Sequence, residues 1–327
     1  MSSAPTRQGR ASEGGKSLRT LVIGCGFIGS HIVKELSAAP NHRPVVLTRS
    51  RPQEDLAELI GEDALHIGDA CEPVALEAAL NSVRHVVFAA GGLPPPASEQ
   101  APEPDPRLTL DPIRSVLGAL RTRPGVALTY LSSGGTVYGE PSQIPVNENA
   151  PTRALGAYGQ QHLACEAEVI RNRQENGLLA RILRCSTVYG EHQRPDRGQG
   201  AIVTFLYRIA RGDPVDLFGG STTIRDYIYA GDVARIVVAL LGRDDGAPIV
   251  NVGTGKGTSL LDMLHLVERQ VGRPAQIVPH PERHFDVHRI VLDTTRLREL
   301  VELTPTPLET GIERAHRWLV RVFPEPA

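Results

Sequence analysis

Three glycines near the start of the sequence have the spacing of a phosphate-binding loop. Gly24, Gly26 and Gly29 form a G-x-G-x-x-G pattern between a short apolar run and a segment with helical spacing of apolar residues. The first glycine permits a tight turn, the second leaves room for a pyrophosphate, and the third lets helix and strand pack closely. The pattern predicts a dinucleotide site that includes Phe27 and Ile28, with a plain tight turn as the alternative.

The end of the next apolar run predicts which dinucleotide binds. Arg43–Thr48 resembles a second buried strand, and the residues after it should meet the adenosine ribose. A site specific for NAD usually has Asp or Glu there, whereas this sequence has Arg49. A guanidinium pairs well with the 2′-phosphate of NADP. We therefore expect NADP in preference to NAD, and the alternative for Arg49 is a solvated loop.

Two further apolar runs end where a bound dinucleotide should pass. Ala64–Asp69 is predicted to be a third strand, and its final carboxylate can face the adenine. Arg84–Gly91 is predicted to be a fourth strand, which ends in the small residues Ala89, Ala90 and Gly91. Small side chains at this position leave space for a cofactor.

These residues need a scaffold, and the alternation of short strands with helical segments predicts one. The pattern is typical of an α/β fold with a doubly wound parallel sheet, the Rossmann fold. The segment Leu93–Pro112 contains seven prolines. We expect it to form a stiff loop at the carboxyl edge of the sheet, either over the active site or as a surface excursion.

Composition narrows the class of protein further. The chain has 327 residues, 41% hydrophobic content and a net charge of −2, so it can bury a large core and lacks the basic footprint of a nucleic-acid-binding protein. Its four cysteines include no C-x-x-C pair, which indicates reduced thiols in a cytoplasmic protein. Residues 1–17 are polar and predicted to be disordered, and no run is long enough to span a membrane.

A fifth predicted strand, Val126–Leu131, runs into hydroxyl-bearing residues and leads to a family resemblance. Several motifs follow it in one order: Ser-Ser-Gly-Gly-Thr-Val-Tyr-Gly from Ser132, Tyr-Gly-Gln-Gln from Tyr158, Leu-Arg-Cys-Ser-Thr-Val-Tyr-Gly from Leu183, Arg-Asp-Tyr-Ile-Tyr from Arg225 and Asn-Val-Gly-Thr-Gly from Asn251. Together they resemble the extended short-chain dehydrogenase/reductases that modify nucleotide sugars, the NAD-dependent epimerase/dehydratase family. The resemblance covers nearly all of residues 18–320.

The resemblance implies an acid/base tyrosine and its helpers. Tyr158 matches the tyrosine that exchanges a proton with the sugar oxygen while hydride moves between the sugar and nicotinamide. The position that often holds the catalytic Ser or Thr is Gly134, so Ser133 or Thr136 must take that role, and Ser133 is preferred. The family has a lysine four residues after the tyrosine that holds the nicotinamide ribose, but here the residue is His162.

His162 leaves three readings open. It can be a working substitute that hydrogen-bonds the ribose in a slower, more pH-sensitive enzyme, it can mark a protein that binds cofactor without turnover, or another group can supply the proton. The functional alternative to an enzyme is therefore a catalytically silent binder of NAD(P) or a sugar nucleotide.

The second half of the chain, by the same resemblance, should hold the substrate. Arg225 and Arg283 match arginines that pair with the substrate diphosphate, and Thr187 stands where an asparagine commonly contacts it. For each arginine the alternative is a surface charge. His280, His284 and His288 are spaced four apart, but prolines flank the first, so no metal site is expected.

The expected protein is a homodimeric cytoplasmic oxidoreductase that acts at C4 of a nucleotide-diphosphate sugar. A 4-epimerase would regenerate its cofactor, whereas a 4-keto-6-deoxyhexose reductase would consume NADPH, and the motifs do not separate the two. No nucleic acid, membrane or metal is expected as a partner. The predicted Rossmann domain and the smaller, discontinuous C-terminal substrate domain divide the chain as follows: 18–188 with 229–254 for the first, and 189–228 with 255–327 for the second.

Overall fold

The computed structural model describes residues 17–101, 106–219 and 223–324. Its strands are β1 (Leu18–Ile23), β2 (His42–Thr48), β3 (Leu65–Ile67), β4 (His85–Phe88), β5 (Ala127–Ser133), β6 (Ala180–Cys185), β7 (Thr187–Tyr189), β8 (Val215–Phe218), β9 (Ile224–Tyr229), β10 (Ile249–Val252), β11 (Gly257–Ser259), β12 (Ile277–His280) and β13 (Arg289–Ile290). Its α-helices are α1 (Phe27–Ala38), α2 (Glu54–Ile60), α3 (Pro73–Ala79), α4 (Pro95–Gln100), α5 (Leu110–Leu120), α6 (Ala157–Asn176), α7 (Ala201–Arg211), α8 (Ala230–Leu240), α9 (Leu260–Val271), α10 (Thr295–Leu300) and α11 (Leu308–Val322).

The main sheet has seven parallel strands in the order β10-β6-β5-β4-β1-β2-β3. The chain runs from β1 outward to β3 and then returns to the other side of β1 through β4. The strand order therefore reverses between β1 and β4, and ligands of such sheets bind outside the carboxyl ends of the strands at that point. This confirms the predicted doubly wound α/β fold.

Helices cover both faces of this sheet because successive side chains of its strands point in opposite directions. Val22 packs on one face with Ile32 of α1 and Val237 of α8. Its neighbour Leu21 packs on the other face with Ile113 of α5 and Val169 of α6. Both faces are thus buried, which explains why β1 ends in the three consecutive apolar residues Leu21, Val22 and Ile23.

Two smaller sheets lie outside the main one. Strand β9 pairs with β7, β11 and β13, and β12 pairs with β8. Helices α7, α9 and α11 contribute to a separate apolar cluster that contains Trp318. After α8 the chain returns to the main sheet, where β10 pairs with β6. The topology agrees with a discontinuous second unit, whereas the division into domains stays a prediction.

The predicted strands correspond to β1 to β5, within one to three residues at each end. The proline-rich segment is a correction, because Pro95–Gln100 forms α4 where a loop was expected. Proline is tolerated in the first turn of a helix, whose amide has no helical partner to lose. The predicted disordered tail lies outside the described residues apart from Ser17. No helix among the described residues is both long and apolar enough to cross a bilayer.

Candidate active site

The glycine loop has the geometry that its spacing predicts. Gly24 has φ of +92°, and a Cβ there would lie 2.7 Å from the backbone of Ala90. A Cβ on Gly29 would lie 1.9 Å from the carbonyl oxygen of Gly24. A Cβ on Gly26 would meet no atom within 4 Å. The first and third glycines therefore permit close packing, and the second faces open space at the start of α1, where a pyrophosphate fits.

A cavity of about 570 Å³ lies over the carboxyl ends of β1, β2, β4, β5 and β6. Most of the predicted site residues line it: Gly24, Gly26, Phe27, Ile28, Arg49, Asp69, Ala89, Ala90, Gly91, Ser133, Thr136, Tyr158, Thr187 and Arg225. Three do not: Gly29 packs beneath the loop, His162 lies behind Tyr158, and Arg283 lines an adjoining cavity.

The cavity also has lining residues that sequence reasoning missed. Gln193, Arg197 and Gln199 follow β7, and Arg107 and Leu108 belong to the proline-rich segment. Gln199 lies in the Gly-Gln-Gly stretch before α7, for which the sequence predicted no role. The structure places the proline-rich segment at the cavity, which is one of its two expected positions, whereas nothing local in the sequence indicated that the loop after β7 approaches Tyr158.

The strand order shows which predicted residues lie at each end of this cavity. Arg49 and Asp69 follow β2 and β3, on one side of β1, whereas Ser133 follows β5 on the other side. Arg49 is exposed, while Arg51 is paired with Glu62. The Asp69 carboxylate accepts a hydrogen bond from the Cys71 amide at 2.8 Å. The guanidinium of Arg49 therefore stands at the rim of the end where an adenosine would lie.

Tyr158 lies at the start of α6, at the opposite end of the cavity. Burial raises the pKa of its hydroxyl, and side-chain hydrogen bonds with Gln199 and Ser133 act in the lowering direction. Among the described residues, no cationic side chain contributes to this shift in pKa. The group is therefore held as a neutral phenol, which is suited to donating a proton.

The hydroxyl beside Tyr158 belongs to Ser133, since position 134 is a glycine. A Cβ on Gly134 would lie 2.8 Å from both the Arg184 carbonyl oxygen and the Leu292 side chain, so no side chain fits there. The Thr136 hydroxyl donates to the Ser133 carbonyl oxygen at 3.3 Å. Thr136 lines the cavity, but its bond goes to the backbone of the turn.

A buried ion pair supports the hydroxyl-bearing end of β5. Arg184 Nη2 of β6 lies 2.6 Å from Glu166 Oε2 of α6, and the two side chains are only 5% and 6% exposed. The Ser132 hydroxyl donates to Glu166 Oε1 at 2.6 Å. Arg184 Nη1 also donates to the Tyr138 hydroxyl at 3.0 Å. These bonds tie α6, which carries Tyr158, to the strand that carries Ser133.

His162 is buried beneath Tyr158. Its Nδ1 lies 2.8 Å from the Tyr130 hydroxyl, and its ring meets the Tyr158 ring edge-on with 4.6 Å between centroids. Its Nε2 is buried and has no hydrogen-bond partner among the described residues. Burial lowers the pKa of the imidazole to about 4, so the ring is neutral near pH 7. No permanent cation therefore replaces the family lysine at this position.

A second cavity of about 430 Å³ adjoins the first and shares Thr187, Gly200 and Arg225 with it. Arg225 donates to the carbonyl oxygens of Ile224 at 3.0 Å and His288 at 3.1 Å. Burial lowers its pKa, while the nearby charges of Asp286 and Glu140 act in the raising direction without forming a direct ion pair with it in the described part of the chain. A partly buried guanidinium that donates only to carbonyl oxygens is suited to an anionic ligand.

Arg283 lies in the wall of this second cavity. Its guanidinium stacks 4.4 Å from the Phe218 ring centroid and 5.0 Å from that of Phe285. Its Nε also donates to Asp286 at 2.7 Å. The arginine is thereby fixed by aromatic rings and one carboxylate, with the second cavity beside it.

The three spaced histidines do not converge. His280 bonds Asp216 at 2.7 Å, His284 lies 3.5 Å from Glu99, and His288 lies 3.2 Å from Glu282. Within the described ranges, no group of three or more His, Cys, Asp or Glu side chains is arranged to hold a metal ion.

The fold and the cavity define a dinucleotide-binding enzyme, and comparisons with known proteins agree. The profile of the NAD dependent epimerase/dehydratase family matches residues 20–253. The chain belongs to this family of nucleotide-sugar enzymes, as its motifs predicted. It is 30% identical over 302 residues to a putative UDP-glucose 4-epimerase of Methanocaldococcus jannaschii, covering 90% of this chain and 96% of that protein.

Two further relatives show the range of the family. A dTDP-4-dehydro-6-deoxy-D-allose reductase of Streptomyces bikiniensis is 26% identical over 314 residues, covering 91% of this chain and 95% of that protein. The crystal structure of the Thermus thermophilus UDP-glucose 4-epimerase in complex with NAD is 30% identical, with a TM-score of 0.82 and coverage of 92% of this chain and 98% of that chain.

Proposed function

We propose that this protein is an NAD(P)-dependent oxidoreductase that acts at C4 of a nucleotide-diphosphate sugar, and that its direction is net reduction of a 4-keto sugar. The observation that supports this direction is the state of Tyr158. The hydroxyl is buried, its pKa is raised, and a neutral imidazole lies where a cation would lower that pKa. A phenol with a raised pKa is protonated near pH 7, which is the form that a general acid needs, and it can act as a base only after it has ionised.

Each residue of the site has a separate role in such a reduction. Tyr158 donates its proton to the oxygen on C4, and Ser133, which bonds the Tyr158 hydroxyl, orients that oxygen. A bound nicotinamide supplies the hydride. The Glu166–Arg184 pair holds the two hydroxyl-bearing elements together and leaves the proton transfer to Tyr158. The neutral side chains of Ser133 and Gln199 hydrogen-bond Tyr158 where the family has the positive charge of a lysine.

The cavity fits a dinucleotide cofactor along its length. Open space at Gly26 and the N-terminus of α1 suit the pyrophosphate, and small residues such as Ala90 leave the floor of the cavity clear. Arg49 supports NADP in preference to NAD because its guanidinium is exposed at the adenosine end, while the neighbouring Arg51 is already paired with Glu62.

The second cavity is proposed to hold the sugar nucleotide. Arg225 lines both cavities and forms no direct ion pair with a carboxylate in the described chain, so its partly buried guanidinium could pair with a diphosphate there. Arg283 and Thr187 would add further bonds to the same group. Location in the cytoplasm and dimerisation through the helix that carries Tyr158 are retained as proposals.

Epimerisation is the second candidate, and the epimerase names of relatives such as the Thermus thermophilus enzyme support it. The alternative of a protein that binds cofactor and sugar nucleotide without catalysis depends on His162, which replaces the family lysine. Replacement of His162 by Lys tests it: a large gain in turnover implies that the histidine impairs catalysis, and a loss of turnover implies that the histidine has a role of its own.

To test this function, the purified protein is incubated with dTDP-4-keto-6-deoxyglucose and either NADPH or NADH, and the loss of reduced cofactor is measured. We expect consumption of one cofactor per sugar reduced, with NADPH preferred, and a loss of about a thousandfold or more in Tyr158→Phe, since proton transfer contributes on the order of 10²–10⁴ in rate. Interconversion of UDP-glucose and UDP-galactose without cofactor consumption would favour the epimerase. Tight binding of cofactor and sugar without either reaction would favour the silent binder.

A further inference from the structure

The helix that carries Tyr158 has no cap from its own stretch of sequence. Its N-cap residue is Gly156, which has no side chain to accept the first amides, and α6, which the structure describes in full, has no acid in its first turn. Glu99 of α4, 58 positions before Ala157 in the chain, supplies the missing acceptor. Its carboxylate accepts a hydrogen bond from the amide of Ala157, the first residue of α6. A negative charge at this end of a helix also interacts favourably with the helix dipole.

The Glu99 carboxylate fits closely against the start of α6. A Cβ on Gly156 would collide with the carboxylate and would lie 2.7 Å from the Phe285 Cβ, so the glycine permits the approach. The Glu99 side chain is 16% exposed, and its Oε2 lies 3.5 Å from Nε2 of His284, whose side chain is 80% exposed. An ion pair with a histidine in water contributes little. The backbone of α6 is therefore the main partner of Glu99.

The proline-rich segment contacts one face of α6 at three positions. Ala157, Gln161 and Cys165 are spaced four apart and share this face. Besides the bond from Ala157 to Glu99, the Thr109 hydroxyl donates to Gln161 Oε1 at 3.4 Å, and the Cys165 thiol donates to the Thr109 carbonyl oxygen at 3.8 Å. The face that begins with Tyr158 is one residue further on and meets β5. Glu99 thus makes the contact next to the tyrosine.

We propose that Glu99 is a positioning residue for the reaction: by holding the Ala157 amide it fixes the first turn of α6, and with it the Tyr158 hydroxyl relative to Ser133. The inference rests on the proposed function. Glu99 lines neither cavity and acts through the backbone of the helix. The position of this turn matters because a misplacement of about 1 Å costs on the order of 10²-fold in rate.

Four variants separate this role from ordinary helix capping. Glu99→Ala removes the acceptor, whereas Glu99→Gln keeps an oxygen for the Ala157 amide, and His284→Gln removes only the exposed ion pair. Ser259→Ala is the matched control, because Ser259 Oγ caps α9 by accepting from the Asp262 amide at 3.0 Å and lines neither cavity. Both alanine variants lose one cap, so both should lower the melting temperature by a few degrees.

The kinetic test is reduction of dTDP-4-keto-6-deoxyglucose. Glu99→Ala should lower kcat about tenfold and leave the KM for the cofactor unchanged. Glu99→Gln should retain kcat within about twofold, as should His284→Gln and Ser259→Ala. A similar loss of kcat in Glu99→Ala and Ser259→Ala, or no rescue by Glu99→Gln, would overturn the proposal.

Hydrogen exchange of the cofactor-free protein, followed by mass spectrometry, tests the position of the turn without the reaction. Glu99→Ala should accelerate exchange in the peptide that spans residues 154–163, and the other three variants should leave it unchanged. Unchanged exchange in Glu99→Ala would overturn the proposal whatever the kinetics show. Faster exchange in a protein that reduces no 4-keto sugar would support the role of Glu99 in fixing this turn and refute the proposed reaction instead.

Discussion

The ion pair between Glu166 and Arg184 permits a quantitative prediction. Both side chains are almost fully buried, and the Glu166 carboxylate receives Arg184 Nε at 3.0 Å and Nη2 at 2.6 Å. Burial acts to lower the pKa of Arg184, but the Glu166 carboxylate outweighs it and raises that pKa above its ordinary value, so the guanidinium stays charged near neutral pH. Removal of the carboxylate charge must therefore leave a buried, uncompensated cation.

The perturbation is Glu166→Gln, which keeps the shape of the side chain. Breaking a buried ion pair from one side destabilises a protein by about 3–5 kcal/mol. The Tyr138 hydroxyl remains as a partner of Arg184, and the amide oxygen keeps part of the hydrogen bonding, so we expect the lower end of that range, about 3 kcal/mol. Exchange of both residues, Glu166→Leu with Arg184→Met, should restore most of the loss because no charge stays buried.

Glu168, two residues along the same helix, is the control. It pairs with Arg114 and Arg171, whose side chains are each 52% exposed. Those charges return to water in Glu168→Gln, so the loss should be about 1 kcal/mol or less. Urea denaturation followed by circular dichroism measures all three variants. Equal losses in Glu166→Gln and Glu168→Gln, or no recovery in the double exchange, would refute the reasoning from burial.

Three further predictions follow from the cavity. Gly29→Ala should disrupt the loop and abolish dinucleotide binding because its Cβ would lie 1.9 Å from a carbonyl oxygen. Gly26→Ala should weaken dinucleotide binding and leave the melting temperature unchanged. Calorimetry measures the binding of both variants, and thermal denaturation measures their melting temperatures. Arg49→Ala should weaken NADPH binding about tenfold and leave NADH unaffected, and equal effects on both cofactors would contradict the role in NADP selection. Burial lowers the pKa of His162 from its ordinary 6.5 to about 4, so the unfolded chain binds the proton more tightly than the folded one. The free energy of unfolding therefore falls as the pH drops from 7 to 5. In His162→Gln this fall should be smaller by about 2 kcal/mol, as measured by urea denaturation at the two pH values.

The first five strands and the dinucleotide loop could be predicted because each depends on local sequence. The apolar run before Gly24 and the spacing of the glycines define a strand, a turn and a helix start without reference to the rest of the chain. Arg225 was found through the family resemblance, whose motif Arg-Asp-Tyr-Ile-Tyr lies in β9. The structure places it at a cavity wall, where its lack of a direct ion pair with a carboxylate among the described residues supports the role that the motif implied.

Features that depend on distant parts of the chain were not predicted. The bond between Tyr130 and His162 joins residues 32 positions apart, and none of the readings of His162 from the sequence included it. Gln199 reaches Tyr158 from a loop whose path is set by β7 and α7. The helix α4 was missed because consecutive prolines argue for a loop unless they fall in the first turn.

The most direct test of net reduction at C4 follows a labelled hydride. The protein is incubated with nicotinamide cofactor deuterated at C4 of its reduced ring and with dTDP-4-keto-6-deoxyglucose, and the sugar product is analysed by mass spectrometry and NMR. We predict one deuterium at C4 of the product, stoichiometric oxidation of the cofactor, and loss of both in Tyr158→Phe. Interconversion of 4-hydroxy sugar nucleotides with no deuterium incorporated and no net oxidation would contradict the proposed reaction.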